Sequence, residues 1–265
     1  VYFVRHVLGI NLNNNDLFPD DDELFRFDSL TKYSAEQEIV ESLIRGTDSG
    51  AILARLQTES RWPLGTPGLI SFEKEVRDLS GFVQRIADFK LGLPIDDLPF
   101  ELDVNQNVVE GLLPCCCQHG QLLFRYAGLK GKDVLIGWLC HLAAARIRKQ
   151  KLPTYILARD YTVVFDLEMG SDGDLEAMLN LFADGCRRVS SLLVEPSLAY
   201  AQQRQLNRTR GQKEPMAVAR QLFSKYIENH YVAEWNLIYR NRSAEDLLND
   251  EFEALCLQLM VPLWE

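Results

Sequence analysis

No stretch of this chain approaches the roughly 18 consecutive apolar residues that a membrane-spanning helix requires, and no signal-peptide pattern is visible. Cysteine is scarce and poorly placed: six occur, three of them consecutive at Cys115, Cys116 and Cys117. That spacing makes a weak disulfide framework and points to a reducing cytoplasm. There is no Walker A sequence, no GxGxxG element and no Ser-His-Asp ordering, which removes the common signatures of nucleotide-driven, dinucleotide-binding and triad enzymes. Internal repeats and low-complexity tracts are also missing. Positive charge is in deficit, with 28 Lys and Arg against 38 Asp and Glu and a net charge of −10. A protein that grips nucleic acid over its whole surface is therefore excluded.

What remains is an ordinary globular composition, 47% hydrophobic and 25% charged over 265 residues. That length allows one large domain or two smaller ones. The chain opens at Val1 inside a helix-like run, YFVRHVLGI, and reads as a fragment of a longer polypeptide. Its charge is unevenly spread. Acid gathers at Asp16, Asp20, Asp21, Asp22 and Glu23. Base gathers at Arg146, Arg148, Lys149 and Lys151, and again at Arg204, Arg208, Arg210 and Lys213. Such patches suit DNA contact at one edge of an acidic body, and they suit solvated faces equally well.

Along the chain, NLNNNDLFPDDDE reads as a surface connection. Ser34-Ala35-Glu36-Gln37 has the capping-box form, with Gly46 placed to stop its helix. A second helix is predicted from Ser49 to about Thr58. Thr66-Pro67 opens a third, whose Leu69, Phe72, Val76, Leu79, Val83 and Ile86 form one apolar stripe. Residues 1–95 are thus helical. From Phe100 to Val104, Val108 to Leu113 and Gln121 to Tyr126, turn-separated runs predict a three-stranded antiparallel meander. A helix follows from Lys132 to Arg148, then strands at Tyr155 to Ala158 and Thr162 to Leu167. Asp172 or Asp174 caps a helix reaching about Val189, and Leu192 to Val194 forms a short strand. Beyond Pro196, three helices are predicted at 196–207, Pro215 to about Tyr231, and Ser243 to Met260. The fold class is α/β with a mixed sheet at 96–195 and helical segments at 1–95 and 196–265.

The hairpin, loop and apolar helix of VVEGLLPCCCQHGQLLFRYAGLKGKDVLIGWLCHLAAA resemble the core of PD-(D/E)xK nucleases. Such sites need an Asp near the end of one strand and Asp/Glu-x-Lys on the next, because Mg²⁺ takes oxygen ligands and activates the attacking water. Here the first position falls at Leu113-Pro114 and the second on Phe124, Arg125 and Tyr126. The Gln-x-x-x-Tyr pair of active relatives falls on Gly137 and His141. Neither position supplies a carboxylate.

A wider resemblance lies in the order of YF-x-R-x-x-L-G, ELFRFDSLTKYSAEQEIVESLI, RWPLGTPG, VVEGLLP, WLCHLAAA and FEALCLQLMVPLW. In this order they resemble the C-terminal region of the RecC family, the gamma chain of exodeoxyribonuclease V. The resemblance implies a degenerate RecB-nuclease-like domain of a helicase-nuclease complex acting in double-strand break repair and recombination. It would have RecB-like and RecD-like partners, would contact double-stranded ends and single-stranded DNA, and would have no cofactor of its own. Mg²⁺ and ATP would belong to the partner subunits. The family splits the duplex, channels the strands and takes part in Chi recognition. Phosphate contacts would come from the basic clusters, with Arg125, Lys130 and Lys132 beside the vestigial site.

Other readings stay open on the residues. Cys115 to Cys117 with His119 suggest zinc, yet adjacent strand residues point to opposite faces and cannot easily share one ion. Asp103 and Glu110 could be a surviving metal pair of an active Mg²⁺-dependent nuclease, or solvent-facing carboxylates. His141 reads as a core or interface histidine. Trp62, Trp138, Trp235, Tyr239 and Trp264 are candidate partner contacts or core. A pure protein-interaction module is the remaining alternative.

Overall fold

The structure is a computed structural model, and it describes residues 3–10, 29–104, 107–210, 213–228, 233–239 and 242–264. The acidic run at residues 16–23 lies outside them. After a π-helical turn at Phe3–Val7 come α1 (Ser29–Ile44), α2 (Ser49–Thr58) and α3 (Gly65–Ala87). Next are β1 (Leu98–Val104), β2 (Asn107–Leu113), β3 (Cys116–Cys117), β4 (Gly120–Arg125), α4 (Gly131–Ile147), β5 (Thr154–Ala158) and β6 (Thr162–Phe165). The chain continues through α5 (Asp172–Arg187), α6 (Val194–Asn207), α7 (Pro215–Glu228), α8 (Ala233–Tyr239), α9 (Ala244–Leu247), α10 (Asp250–Leu255) and α11 (Val261–Trp264).

The sheet has the order β3-β4-β5-β6, with β4 and β5 parallel and joined by α4. Alternate side chains leave its two faces. Leu122, Phe124, Tyr155 and Leu157 pack with Ile39, Phe72, Leu79 and Phe82 of the N-terminal helices. Ile156, Val163 and Phe165 pack instead with Val134, Trp138 and Leu142 of α4 and with the C-terminal helices. Helix α4 is therefore covered on most sides, which explains why its sequence is apolar nearly all round.

The predicted meander does not form. β1 and β2 make a separate two-stranded hairpin, while β4 pairs antiparallel with β3 and parallel with β5. Both edges of β4 are thus taken. Cys115, at φ +62°, turns the chain away between β2 and β3. Ser34 is not a cap, because α1 starts at Ser29, and its Oγ accepts from Arg61 Nη2 at 3.1 Å. Leu69 of the predicted stripe is exposed, and Phe82, outside the stripe, is buried. The cap of α5 is Ser171, whose N–H and Oγ–H donate to Asp174. Leu192 to Val194 is no strand, since Leu193 caps α6. The long terminal helix is broken where Asn249 Oδ1 accepts from Glu251 and Phe252 N–H, starting α10 afresh. A π-helical stretch at Cys256–Met260 leads into α11, and α8 has no counterpart in the sequence reading.

RWPLGTPG acquires a structural meaning. Trp62 Nε1 donates to the Gly68 carbonyl at 2.9 Å, and Gln57 Nε2 donates to the Pro63 carbonyl at 2.8 Å. A Cβ on Gly68 would sit 1.8 Å from that same Pro63 oxygen, so only glycine permits this approach.

Candidate nucleic-acid interface

Side chains at the carboxyl end of β4 separate to two sides. Phe124 and Tyr126 turn toward α1 and α3, where Phe82 meets both edge-on at centroid distances of 6.4 and 5.2 Å. Gln37 of α1 clamps the same strand end: its Nε2 donates to Phe124 O at 3.0 Å, and its Oε1 accepts from Tyr126 N at 3.2 Å. The positions that would carry a nuclease Glu and Lys are therefore beneath the N-terminal helices. Leu113, at the other acid position, is buried with Cys116, Cys140 and Ala144. Among the described residues no group of three or more His, Cys, Asp and Glu is placed to hold a metal.

The acids nearest Tyr126 come from helices instead. Lys32 Nζ lies 3.3 Å from Glu36 and 3.4 Å from Glu75. Burial and the hydrogen bond to Glu75 push the Glu36 carboxyl above its ordinary range, and burial together with these acids raises the Tyr126 phenol. Asp103 and Glu110 are exposed on the hairpin, where Glu110 faces Glu101 and Asp103 faces Val108.

Arg125 lies between α4 and Tyr33 of α1. Its Nη1 is 3.8 Å from Asp133, its guanidinium lies 5.2 Å from the Tyr33 ring centroid, and its side chain is 18% exposed. Its Nε is withdrawn from solvent without a hydrogen-bond partner among the described residues. It borders a cavity of about 390 Å³ between the β4–α4 loop and helices α6 and α7, with Lys130, Glu195, Gln202 and Tyr226 on the walls. The amino end of α4 is already satisfied: Gly131 N donates to Glu195 at 2.9 Å and Lys130 N to Asp133 at 3.0 Å. Lys132 is exposed on the first turn of α4.

The other basic candidates are not brought to this place. Arg146 and Lys151 border a smaller cavity of about 180 Å³ at the far end of α4, roughly 25 Å away at 1.5 Å per residue. Arg148 holds the β3–β4 turn through the carbonyls of Cys117, Gly120 and Gln118 at 2.9, 3.3 and 3.2 Å. Lys149 is exposed beside it. Arg204, Arg208, Arg210 and Lys213 are exposed around the end of α6, where Asn207 Nδ2 bonds the Lys213 carbonyl at 2.8 Å. His141 is a core residue, with Nδ1 3.0 Å from Thr154 Oγ1 and Nε2 3.3 Å from Met169 O, and burial lowers its pKa. Of the cysteine run, Cys116 and Cys117 are buried and Cys115 is exposed. Trp62, Trp138 and Tyr239 are buried, and Trp235 and Trp264 are half-buried.

The model of the RecC C-terminal domain matches residues 1–205. This chain belongs to that family. A curated relative, the RecBCD enzyme subunit RecC of Escherichia coli (strain K12), is 22% identical over 232 residues, covering 88% of this chain and 18% of that protein. The chain thus spans less than a fifth of that relative's length. Of the cavity residues, Gln202 and Tyr226 escaped sequence reasoning, as did the role of Gln37 at the end of β4. Gln37 lies 87 residues from Phe124, and no local pattern marks such a pair.

Proposed function

We propose that this RecC C-terminal domain is a non-catalytic, nuclease-like module of a RecBCD-type helicase-nuclease, handling DNA and holding partner subunits during double-strand break repair and recombination. The parallel β4–α4–β5 crossover supports descent from a PD-(D/E)xK core. The observation that carries inactivity is Phe124 and Tyr126 packed against Phe82 and clamped by Gln37 where a nuclease needs Mg²⁺ ligands. In this reading RecB-like and RecD-like partners supply ATP and Mg²⁺ chemistry in the cytoplasm. This domain lends sequence-independent phosphate contacts from its separated basic clusters, at Arg125 and Lys130, at Lys149 and Lys151, and at Arg204 to Lys213.

The test incubates the chain with single- and double-stranded DNA in Mg²⁺ and titrates binding against salt. Salt-sensitive binding with no cleavage is the expected result. Metal-dependent cleavage abolished by Asp103→Ala would restore the enzyme. A protein-interaction role without DNA has its own support in the exposed apolar residues at the start of α3, where Leu64 is 73% and Ile70 60% exposed. Partner capture with no DNA affinity at moderate salt would select it. Among the described residues no helix is long and apolar enough to cross a membrane.

A further inference from the structure

The cavity beside Arg125 has an unusual electrostatic state. A guanidinium carries five N–H donors, and this one is mostly buried. Its recorded contacts are the Tyr33 ring and the long 3.8 Å approach to Asp133. A charge-assisted hydrogen bond is normally about 2.7–2.9 Å. Its Nε is held out of water without an acceptor, which costs free energy, and the guanidinium keeps a positive charge that an anion in the cavity would complement. Lys130, exposed on the same wall, adds a second positive charge. The one carboxylate on the walls, Glu195, already accepts from Gly131 N. The helix amino end is therefore not what would attract the ligand; the Arg125 guanidinium is.

The remaining walls say what else the ligand carries. Gln202 offers an amide that can both donate and accept, and the Tyr226 ring is backed by Trp235 at 5.6 Å. Leu129, Leu198 and Leu222 make the lining partly apolar. At about 390 Å³ the space falls within the range of small-ligand sites, roughly 300–1,000 Å³. An inorganic phosphate would leave the aromatic and apolar walls unused. A planar heterocycle attached to a phosphodiester uses all of them: phosphate at Arg125 and Lys130, base edge at Gln202, base face at Tyr226. A base in a duplex remains in the stack and cannot enter a concave pocket, whereas a single strand presents its bases freely.

We propose that this cavity is a single-nucleotide subsite for single-stranded DNA, in which Arg125 receives the phosphate and Gln202 and Tyr226 receive the base. The inference rests on the DNA-handling reading and deepens it by assigning strandedness and a place. It differs from plain phosphate tracking because the base itself contributes affinity, as stacking on aromatics does in single-strand binders.

The test measures binding of three probes by fluorescence anisotropy: an oligothymidylate, an abasic oligonucleotide of equal length that keeps every phosphate, and a blunt duplex. The oligothymidylate should bind best, with the abasic strand about tenfold weaker. Arg125→Gln and Tyr226→Leu should each weaken the oligothymidylate, and Tyr226→Leu should erase its advantage over the abasic strand. Because Arg125 also packs on Tyr33, Gln202→Leu and Lys130→Gln serve as variants of more exposed residues, with folding checked by circular dichroism. Equal affinity for oligothymidylate and abasic strand, unchanged in these variants, would overturn the subsite while leaving DNA handling intact. No affinity for any of the three probes would overturn both.

Discussion

Gly137→Ala tests how closely α4 lies on the sheet. A Cβ at this position would sit 2.4 Å from Ile156 Cδ1, 2.8 Å from its Cγ1 and 3.4 Å from Phe165 Cε2. Ile156 and Phe165 are themselves 1% and 0% exposed, so neither has room to retreat. Helix propensity favours alanine over glycine by about 0.8–1.0 kcal/mol, while overpacking a close-packed core costs about 1–3 kcal/mol. Crowding should offset or outweigh the propensity gain, leaving the variant about 0–2 kcal/mol less stable. Gly81→Ala in α3 and Gly185→Ala in α5 are the controls, because nothing lies within 4 Å of the added carbon at either site. They should gain about 0.5–1 kcal/mol. Urea denaturation reads all three through the midpoint, provided the slope is unchanged. If Gly137→Ala gains stability as the controls do, the helix does not approach the sheet as described.

Gly68→Ala should cost about 3 kcal/mol or more, because its Cβ meets the Pro63 carbonyl; thermal denaturation checks this. Arg148→Ala should lose about 1.5–3 kcal/mol through its three carbonyl bonds and leave DNA affinity unchanged in an anisotropy titration. Burial holds His141 below its ordinary pKa of 6.5, so the unfolded chain binds a proton that the folded chain refuses. Its stability contribution is full above that value and is lost as pH falls below it, and His141→Gln should flatten that decline in urea midpoints. Lys149→Gln and Lys151→Gln should each reduce the slope of log affinity against log salt by about 0.7 on single-stranded DNA, without changing the ratio of oligothymidylate to abasic binding.

Local patterns carried much of the fold. Thr66-Pro67 in the first turn of α3 and the apolar run of α4 each marked a helix that the structure has. Five of the six described strands were also legible one by one, and so was the β1–β2 hairpin, but β3 and the neighbours of β4 were not. Which strand flanks β4 is decided by α4 returning the chain to β5 and by Cys115 turning β2 away, and neither has a sequence period. The site divides in the same manner. The missing carboxylates could be read directly from the strand, as could the basic residues. That Arg148 serves backbone carbonyls, whereas Arg125 borders a cavity with its Nε unpartnered, depends on contacts between residues far apart in the chain. Charge identifies an arginine; only packing distinguishes one that clamps carbonyls from one that borders a cavity.

The most direct measurement is a Mn²⁺ titration of the chain followed by electron paramagnetic resonance, with the ion located in a crystal soaked in Mn²⁺. With Phe124 and Tyr126 covered by Phe82 and Gln37, no saturable site should form at the carboxyl end of β4. A stoichiometric ion bound there by two or more carboxylates would contradict the reading of a nuclease-like domain that has lost its metal chemistry.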